Sequence, residues 1–408
     1  MAGTTQKTGV RKLVAELTDK YYDNLNHAHE NGKLVAWASS IIPQEFLEAM
    51  DIEVAYPENH AAAVAARRAA PELLAHAEAA GYNNDICAYA RVNMAYADVL
   101  TSPAEDMPRP DFVICTNNIC NVVIKWYENL AHIFNVPMIL IDTPYNYEYE
   151  AHEESLDYIV AQFQTLIEQL EIICQRPFNY EKFDKVMEIS HRAAKSWWKA
   201  MSYCEKVPSP MDGFNMFNYM ALAVCMRGKE EAVELFDALA DEMEQFVAEG
   251  KSQVRYEEKY RIEWNGIACW PHLAHTVKTL AKEGAVMVGS LYPEAWALFY
   301  EPGDLRGLAK VYSENLNNCC TERLSASQAR ILRDCHCDGT VYHMNRSCKI
   351  MDFSQANIRR MAAEKTGLPY TIFDGDQADP KNFAEAQYDT RIQALVETMA
   401  AHKGKEAH

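Results

Sequence analysis

Three of the twelve cysteines stand where a thiol could do chemistry. Cys120 follows the apolar segment 112–115, and Cys348 follows a similar segment at 340–342; we predict both segments to be strands. Cys87 opens a helical stretch, where the helix dipole stabilises a thiolate. Three thiolates from separate segments can hold an iron–sulfur cluster and leave one iron open for a substrate. Spacing alone supports this interpretation only weakly.

The remaining cysteines leave other interpretations open. Four of them form two pairs that could imitate a metal site: Cys319–Cys320 and Cys335–Cys337. Adjacent cysteines rarely bind one ion comfortably, and zinc is less favoured because structural zinc generally has close ligand pairs and four protein ligands. We expect the other five to pack as small apolar side chains: Cys115, Cys174, Cys204, Cys225 and Cys269.

The composition is that of a globular protein with room for two domains. The chain has 408 residues and a formal charge of −19, which argues against a nucleic-acid surface because phosphate backbones require basic side chains. No apolar run approaches the roughly 20 residues that span a bilayer, so we expect no membrane partner. The first residues lack the apolar core of a signal peptide. We therefore expect a cytoplasmic protein, in which disulfide bonds are rare.

Four sequence signals occur in the same order in both halves of the chain. The pairs are Lys33–Trp37 with Tyr260–Trp264, Ala55–Glu58 with Leu291–Glu294, Asp111–Cys120 with Asp338–Cys348, and Val136–Asp142 with Leu368–Asp374. Each unit combines a short apolar strand with a loop and an amphipathic helix, and such alternation predicts parallel sheets with helices on both faces. The repeated order indicates two domains of related topology.

We therefore predict an α/β protein with two doubly wound, pseudo-repeated parallel-sheet domains. The expected limits are 1–150 for the first domain, 151–255 for a mainly helical connecting region and 256–408 for the second domain. Ligands of open α/β sheets bind beyond the carboxyl ends of the strands. If the domains face each other, Cys120 and Cys348 meet across the cleft between them.

Several segments in this order resemble the 2-hydroxyacyl-CoA dehydratase family, and most closely its α subunit. They are Trp37–Glu45, Tyr56–Asn59, Cys87–Arg91, Asn117–Cys120, Met344–Cys348 and Phe373–Pro380. The resemblance extends from about residue 30 to 395, nearly the whole chain, and the benzoyl-CoA reductase subunits of the same superfamily are more distant. Each motif alone is weak, whereas their combination in order is highly specific.

The resemblance implies an oxygen-sensitive heterodimer with one [4Fe-4S] cluster in each subunit. A separate iron–sulfur ATPase, the activator, supplies a single electron at the expense of ATP. In this chain Cys87, Cys120 and Cys348 are the implied ligands of the cluster. The fourth iron is expected to carry water or hydroxide, which the thioester carbonyl oxygen of the substrate replaces. Ser40 is implied to hydrogen-bond at that open position, with Ser39 as the alternative.

The implied reaction is the reversible dehydration of an (R)-2-hydroxyacyl-CoA to the 2-enoyl-CoA, which makes the protein a lyase. One electron on the thioester carbonyl gives a ketyl radical that expels the α-hydroxyl, and the resulting enoxy radical has an acidic β-proton. We assign Glu58 as the base, because it follows a strand and Pro57 near the expected cleft. Without the resemblance, Glu58 would be interpreted as a solvated glutamate at a helix start. Its counterpart Glu294 is expected to be structural.

Two other functions remain open at this point. The chain could be a non-catalytic electron-relay subunit of the same complex, although a relay needs neither Ser40 nor Glu58. It could also be a relative that reduces CoA thioesters, which would consume electrons in every turnover.

Substrate contacts are less defined by the sequence. The apolar residues Ile41, Ile42 and Met94 weakly favour an apolar acyl group over 2-hydroxyglutaryl. We expect His343, placed just beyond a strand, to pack in the core. No residue is assigned to the CoA phosphates, although four basic residues lie near the expected cleft: Arg91, Lys125, Arg346 and Lys349.

Overall fold

A computed structural model describes residues 9–406, which form eight strands and sixteen α-helices. The strands are β1 (Val35–Ala38), β2 (Glu53–Ala55), β3 (Phe112–Thr116), β4 (Met138–Ile141), β5 (Tyr260–Asn265), β6 (Ala285–Gly289), β7 (Gly339–Asn345) and β8 (Tyr370–Gly375). The helices are α1 (Gly9–Asn26), α2 (Gln44–Ala49), α3 (Pro57–Ala66), α4 (Ala70–Ala79), α5 (Ala88–Val99), α6 (Asn121–Phe134), α7 (Glu153–Cys174), α8 (Tyr180–Ser202), α9 (Phe214–Cys225), α10 (Glu230–Glu249), α11 (Leu273–Lys282), α12 (Leu291–Glu294), α13 (Leu305–Ser313), α14 (Thr321–Asp334), α15 (Lys349–Thr366) and α16 (Glu385–Glu406).

The strands form two four-stranded sheets, in the orders β2-β1-β3-β4 and β6-β5-β7-β8. All neighbouring strands are parallel. The prediction of two parallel sheets in an α/β protein is confirmed. When the strands of each sheet are numbered 1 to 4 in chain order, both sheets have the strand order 2-1-3-4. The finer predictions, a doubly wound repeat and domain limits at residues 150 and 255, stay predictions.

The central strands are buried, as expected for parallel sheets covered on both faces. β1 and β3 are mainly apolar, whereas β5 and β7 also contain buried polar residues. Trp37 in β1 and Trp264 in β5 belong to one of the pairs of sequence signals, and both are completely buried. Each indole N–H donates to a backbone carbonyl, of Pro108 at 2.9 Å and of Ile267 at 3.4 Å. Both indole nitrogens therefore have a hydrogen-bond partner, although the rings are buried.

In the part of the chain that connects the strands of the two sheets, α7, α8, α9 and α10 account for most of residues 153–249. Phe46 of α2 packs against this region, with ring centroids 4.5 Å from Phe183 and 5.1 Å from Phe163. Trp197 on α8 is buried and donates to the Pro293 carbonyl at 3.0 Å. The helices thus pack on both sheet regions. Within residues 9–406, none of the helices combines the length and apolarity needed to cross a bilayer.

Glu263 is one of three buried polar residues of β5, together with Arg261 and Asn265. Its carboxylate is fully buried, and it accepts hydrogen bonds from Gln328 at 2.9 Å and Asn265 at 3.2 Å. Burial outweighs these contacts and raises the pKa of Glu263 from 4.5 to about 8. The neutral acid is therefore the form that the fold prefers.

Glu263→Gln should gain stability relative to the wild type as the pH rises from about 4.5 to about 8. In this window the folded wild type holds a proton that the unfolded chain has released. Its free energy of unfolding therefore falls with pH, by at most about 1.4 kcal/mol per unit, and glutamine removes this dependence. Urea unfolding of both proteins at several pH values measures the effect. Parallel stability curves would show that Glu263 does not titrate in this window.

Candidate active site

The three thiols singled out from the sequence all precede the first turn of a helix. Cys87 is the N-cap residue of α5, Cys120 that of α6 and Cys348 that of α15. The last two lie in the loops that follow β3 and β7, at the carboxyl ends of central strands. Three helix N-termini therefore surround the thiols and favour negative charge there.

These thiols line one cavity together with Ser40 and Glu58. The cavity has about 780 Å³ of space, part of it open to solvent. The structure thus brings all five predicted site residues to one place. Their roles as ligands, hydrogen-bond donor and base stay predictions.

The walls of the cavity are mainly apolar and aromatic. They include Ile41, Ile119, Val122, Val123, Trp126, Ile267, Tyr292, Trp296, Leu316, Ile350 and Met351. Among the described residues that line it, Glu58 carries the one carboxyl group, and no lysine, arginine or histidine takes part. Such a site suits an apolar ligand held by a few polar groups.

Burial raises the pKa of all three thiols, and it raises that of Cys348 to about 12. Neighbouring backbone N–H groups at each helix start act in the opposite direction. All twelve cysteines are free thiols. Within residues 9–406, no three His, Cys, Asp or Glu side chains are close enough to bind one metal ion.

The donor set can be compared with the needs of a cluster by its chemistry. In a [4Fe-4S] cluster each cysteine binds a different iron atom, so its ligands lie farther apart than those of one zinc ion. Three free thiols around one cavity are the donor set for a cluster with one iron left open. The chemistry of the residues present therefore fits such a group.

Glu58 lies in the first turn of α3, directly after Pro57. One carboxylate oxygen accepts from the Ser40 backbone N–H at 3.1 Å, and the other accepts from the Tyr127 hydroxyl at 3.1 Å. Burial outweighs these bonds and raises the pKa of Glu58 to about 7. A carboxyl group with such a pKa can exchange a proton near neutral pH.

The two neighbouring serines have different surroundings. Ser39 is completely buried, and its hydroxyl accepts from the Thr116 backbone N–H at 3.2 Å. Ser40 lines the cavity. Between these two candidates, Ser40 is the residue placed to contact a bound ligand.

Glu294 is placed differently from Glu58. It lies beside a separate, smaller cavity and forms an ion pair with Arg330. Burial raises the pKa of Glu294 to about 7 as well. A raised pKa alone therefore does not identify the candidate base, whereas position in the main cavity does.

The alternative metal site formed by four cysteines is wrong. Cys320 precedes the first residue of α14 and Cys335 follows its last residue. A helix of 14 residues separates its ends by about 20 Å. The two cysteine pairs therefore cannot bind one ion.

Three placements expected from the sequence need correction. His343 lies inside β7 rather than beyond its end. Its Nδ1 atom contacts the Ile267 carbonyl at 2.6 Å, and its ring stacks on Phe373. Met94 and Ile42 are core residues and do not line the cavity. Of the three apolar residues proposed for acyl contact, only Ile41 lines the cavity.

Arg91 is not available to a CoA phosphate. It is completely buried and pairs with Glu78 at 2.8 Å and with Asp379 at 3.3 Å. It also donates to the Ile86 carbonyl at 3.3 Å, in the loop before Cys87. Arg91 therefore stabilises the backbone around a candidate ligand.

Two polar residues of the site escaped the sequence reasoning. Tyr127 contacts Glu58, and the amide nitrogen of Gln377 lies 3.1 Å from the sulfur of Cys87. A signal for Gln377 existed, because it belongs to a segment that carries the family resemblance. Tyr127 lies seven residues after Cys120, on the helix that this thiol begins.

Known proteins resemble this chain over nearly its whole length. The family model for "2-hydroxyglutaryl-CoA dehydratase, D-component" matches residues 39–399. The α subunit of (R)-2-hydroxyisocaproyl-CoA dehydratase from Clostridioides difficile is 48% identical over 400 residues, covering 98% of each chain. The α subunit of (R)-phenyllactyl-CoA dehydratase from Clostridium sporogenes is 46% identical over 396 residues, covering 97% of each chain. The chain belongs to the 2-hydroxyacyl-CoA dehydratase family.

A third relative, the α subunit of lactoyl-CoA dehydratase from Anaerotignum propionicum, is 41% identical over 414 residues and covers 98% of each chain. The resemblance seen in the motifs is therefore confirmed, and the α subunit is the matching component. Members of this family are hydro-lyases. This assignment favours a dehydratase over the reductase alternative.

Proposed function

We propose that this chain carries the substrate site of a dehydratase that converts an (R)-2-hydroxyacyl-CoA to the 2-enoyl-CoA. The observation that supports the proposal most is the convergence of three free thiols, Ser40 and Glu58 on one apolar cavity. A hydro-lyase that acts on an unactivated β-carbon needs both a way to acidify the β-proton and a base to accept it. This cavity offers residues for both tasks.

The cofactor in this proposal is a [4Fe-4S] cluster held by Cys87, Cys120 and Cys348. When bound, it would supply an open iron that polarises the thioester carbonyl as a Lewis acid. Ser40 lines the same cavity, and we infer that its hydroxyl donates a hydrogen bond to an oxygen at that position.

The reaction requires one electron that is returned at the end of each cycle. Its addition to the thioester gives a ketyl radical, the α-hydroxyl leaves as hydroxide, and the β-proton passes to Glu58. Return of the electron leaves the enoyl-CoA, and the proton and hydroxide together make the water that is lost. The Ser40 N–H and the Tyr127 hydroxyl hold the Glu58 carboxylate in one orientation.

The cavity favours an apolar acyl group. Among its described lining residues there is no arginine or lysine to pair with a second carboxylate, and an unpaired charge in an apolar site is costly. Relatives named for 2-hydroxyisocaproyl-CoA and phenyllactyl-CoA have apolar side chains on their substrates. We therefore propose branched aliphatic or aromatic 2-hydroxyacyl-CoA thioesters as the substrate class.

The remaining components follow from the family. The relatives are named as α subunits, so we infer a β subunit as the partner, with a cluster of its own. We also propose a transient complex with an iron–sulfur ATPase that supplies the activating electron.

The test is an anaerobic assay of the purified heterodimer with activator, ATP and a reductant. We expect kcat/KM for 2-hydroxyisocaproyl-CoA to exceed that for 2-hydroxyglutaryl-CoA by on the order of 100-fold or more. Equal values would contradict the proposed acyl preference.

The same assay tests the reaction type through its electron balance. A dehydratase recycles its electron, so many molecules of enoyl-CoA should form for each electron supplied. Consumption of reductant in proportion to product would contradict dehydration and indicate a reductase.

A further inference from the structure

Gln377 follows β8 and has no part in the mechanism described above. It is 1% exposed and lines the main cavity. Its side-chain nitrogen lies 3.1 Å from the sulfur of Cys87, within the range of an N–H···S hydrogen bond. The two residues are 290 positions apart in the chain and come from the regions of different sheets.

The orientation of the Gln377 amide is fixed by Asn345 at the end of β7. The side-chain nitrogen of Asn345 donates to the side-chain oxygen of Gln377. The side-chain oxygen of Asn345 accepts from the Gln377 backbone N–H at 3.4 Å. Because the amide oxygen of Gln377 already faces a donor, its NH₂ group must face Cys87.

The loop that carries Gln377 is itself held in place. The carboxylate of Asp376 accepts from the backbone N–H groups of Ala378 and Asp379 at 2.9 and 3.0 Å. The side chain of Asp379 then pairs with Arg91, on the helix that Cys87 begins. Contacts on both sides of Gln377 therefore connect this loop to the Cys87 segment.

A second contact joins the same two regions. The hydroxyl of Ser347 accepts from the Ala88 backbone N–H at 3.1 Å. Ser347 and Ala88 are the direct neighbours of Cys348 and Cys87 in the chain. Residues around the second sheet thus hold the Cys87 segment in place beside the cavity.

We propose that Gln377 is a positioning residue for Cys87, and that its N–H···S hydrogen bond raises the reduction potential of the cluster. The inference rests on the proposed role of Cys87 as a cluster ligand. Adding an electron increases the negative charge on the sulfur atoms, and a hydrogen-bond donor stabilises the more negative state. The donor therefore makes the cluster easier to reduce.

The test compares Gln377→Met with the wild type in the anaerobically purified heterodimer. Methionine is similar in length and has no N–H group. Gln355→Met is the matched control, because Gln355 is also 1% exposed and its amide donates to Asn265 instead of a thiol. A redox titration followed by electron paramagnetic resonance measures the midpoint potential, and iron and sulfide are determined on the same samples.

We expect Gln377→Met to keep its iron and to show a more negative midpoint potential, with no shift in Gln355→Met. All samples share the same partner subunit, so the shift belongs to this chain. Gln377→Leu is the second variant: it removes both polar atoms of the amide without adding a titratable group, and the potential should again fall. Both Gln377 variants could instead lose their iron while Gln355→Met keeps its fold and its iron. This result would also support the positioning role.

An unchanged potential with full iron in either Gln377 variant would overturn the proposal. This outcome is distinct from failure of the proposed function. If the proposed function fails, the wild type itself will lack a cluster that depends on Cys87, and no potential can be assigned to such a cluster.

Discussion

Glu58→Gln should lower kcat for dehydration by on the order of 10²- to 10⁴-fold, the usual contribution of a general base. Glutamine keeps the shape of the side chain and an oxygen that can accept from the Ser40 N–H or the Tyr127 hydroxyl. It cannot accept the β-proton. The initial rate of enoyl-CoA formation, measured with the activated heterodimer at saturating substrate, gives the effect.

The pH profile separates a base from a structural carboxylate. With a pKa of about 7 for Glu58, the basic form increases as the pH rises through neutrality. The wild-type kcat should therefore rise across this range, and Glu58→Gln should lose that rise. Glu294→Gln is the control, because burial gives Glu294 a similar pKa of about 7 outside the cavity. A Glu58→Gln enzyme that keeps the wild-type rate and pH profile would exclude Glu58 as the base.

Arg91→Met should destabilise the protein by roughly 3–5 kcal/mol, the range for breaking a buried ion pair by removing one partner. Arg91 is fully buried, and Asp379 retains only 7% of its side-chain exposure. Methionine fills part of the volume but leaves the Asp379 carboxylate without its cation. Urea unfolding followed by circular dichroism measures the change.

Lys125→Met provides the matched comparison. Lys125 pairs with Glu128 on the surface, where its side chain is 76% exposed, and such pairs contribute at most about 1 kcal/mol. A loss of less than 1 kcal/mol in Arg91→Met would show that this buried pair adds no more stability than an exposed one.

The sheets and the strand-end positions of the thiols could be predicted because they depend on local patterns. Apolar runs identify parallel strands, and the end of such a run fixes where Cys120 and Cys348 lie. Cys87 could be placed before a helix for the same reason. The proximity of Cys120 and Cys348 was expected from the rule that ligands bind at the carboxyl ends of strands, whereas the place of Cys87 beside them was implied by the family resemblance.

Contacts between distant segments could not be predicted in this way. The hydrogen bond from Tyr127 to Glu58 joins residues 69 positions apart, and no local pattern specifies it. The burial of Arg91 was missed for the same reason, since an arginine is usually solvated and only the distant Asp379 shows otherwise. His343 was misplaced because β7 extends to Asn345, and its polar residues hide the strand from an apolar pattern.

The central claim is that Cys87, Cys120 and Cys348 together hold one iron–sulfur cluster. The most direct test is the iron and acid-labile sulfide content of the anaerobically purified heterodimer, in the wild type and in Cys87→Ala, Cys120→Ala and Cys348→Ala. Cys115→Ala is the control, because Cys115 is buried in β3 and does not line the cavity. We predict that each of the three variants loses the iron and sulfide of one cluster while the control keeps them. Full iron and sulfide in all three variants would contradict the account.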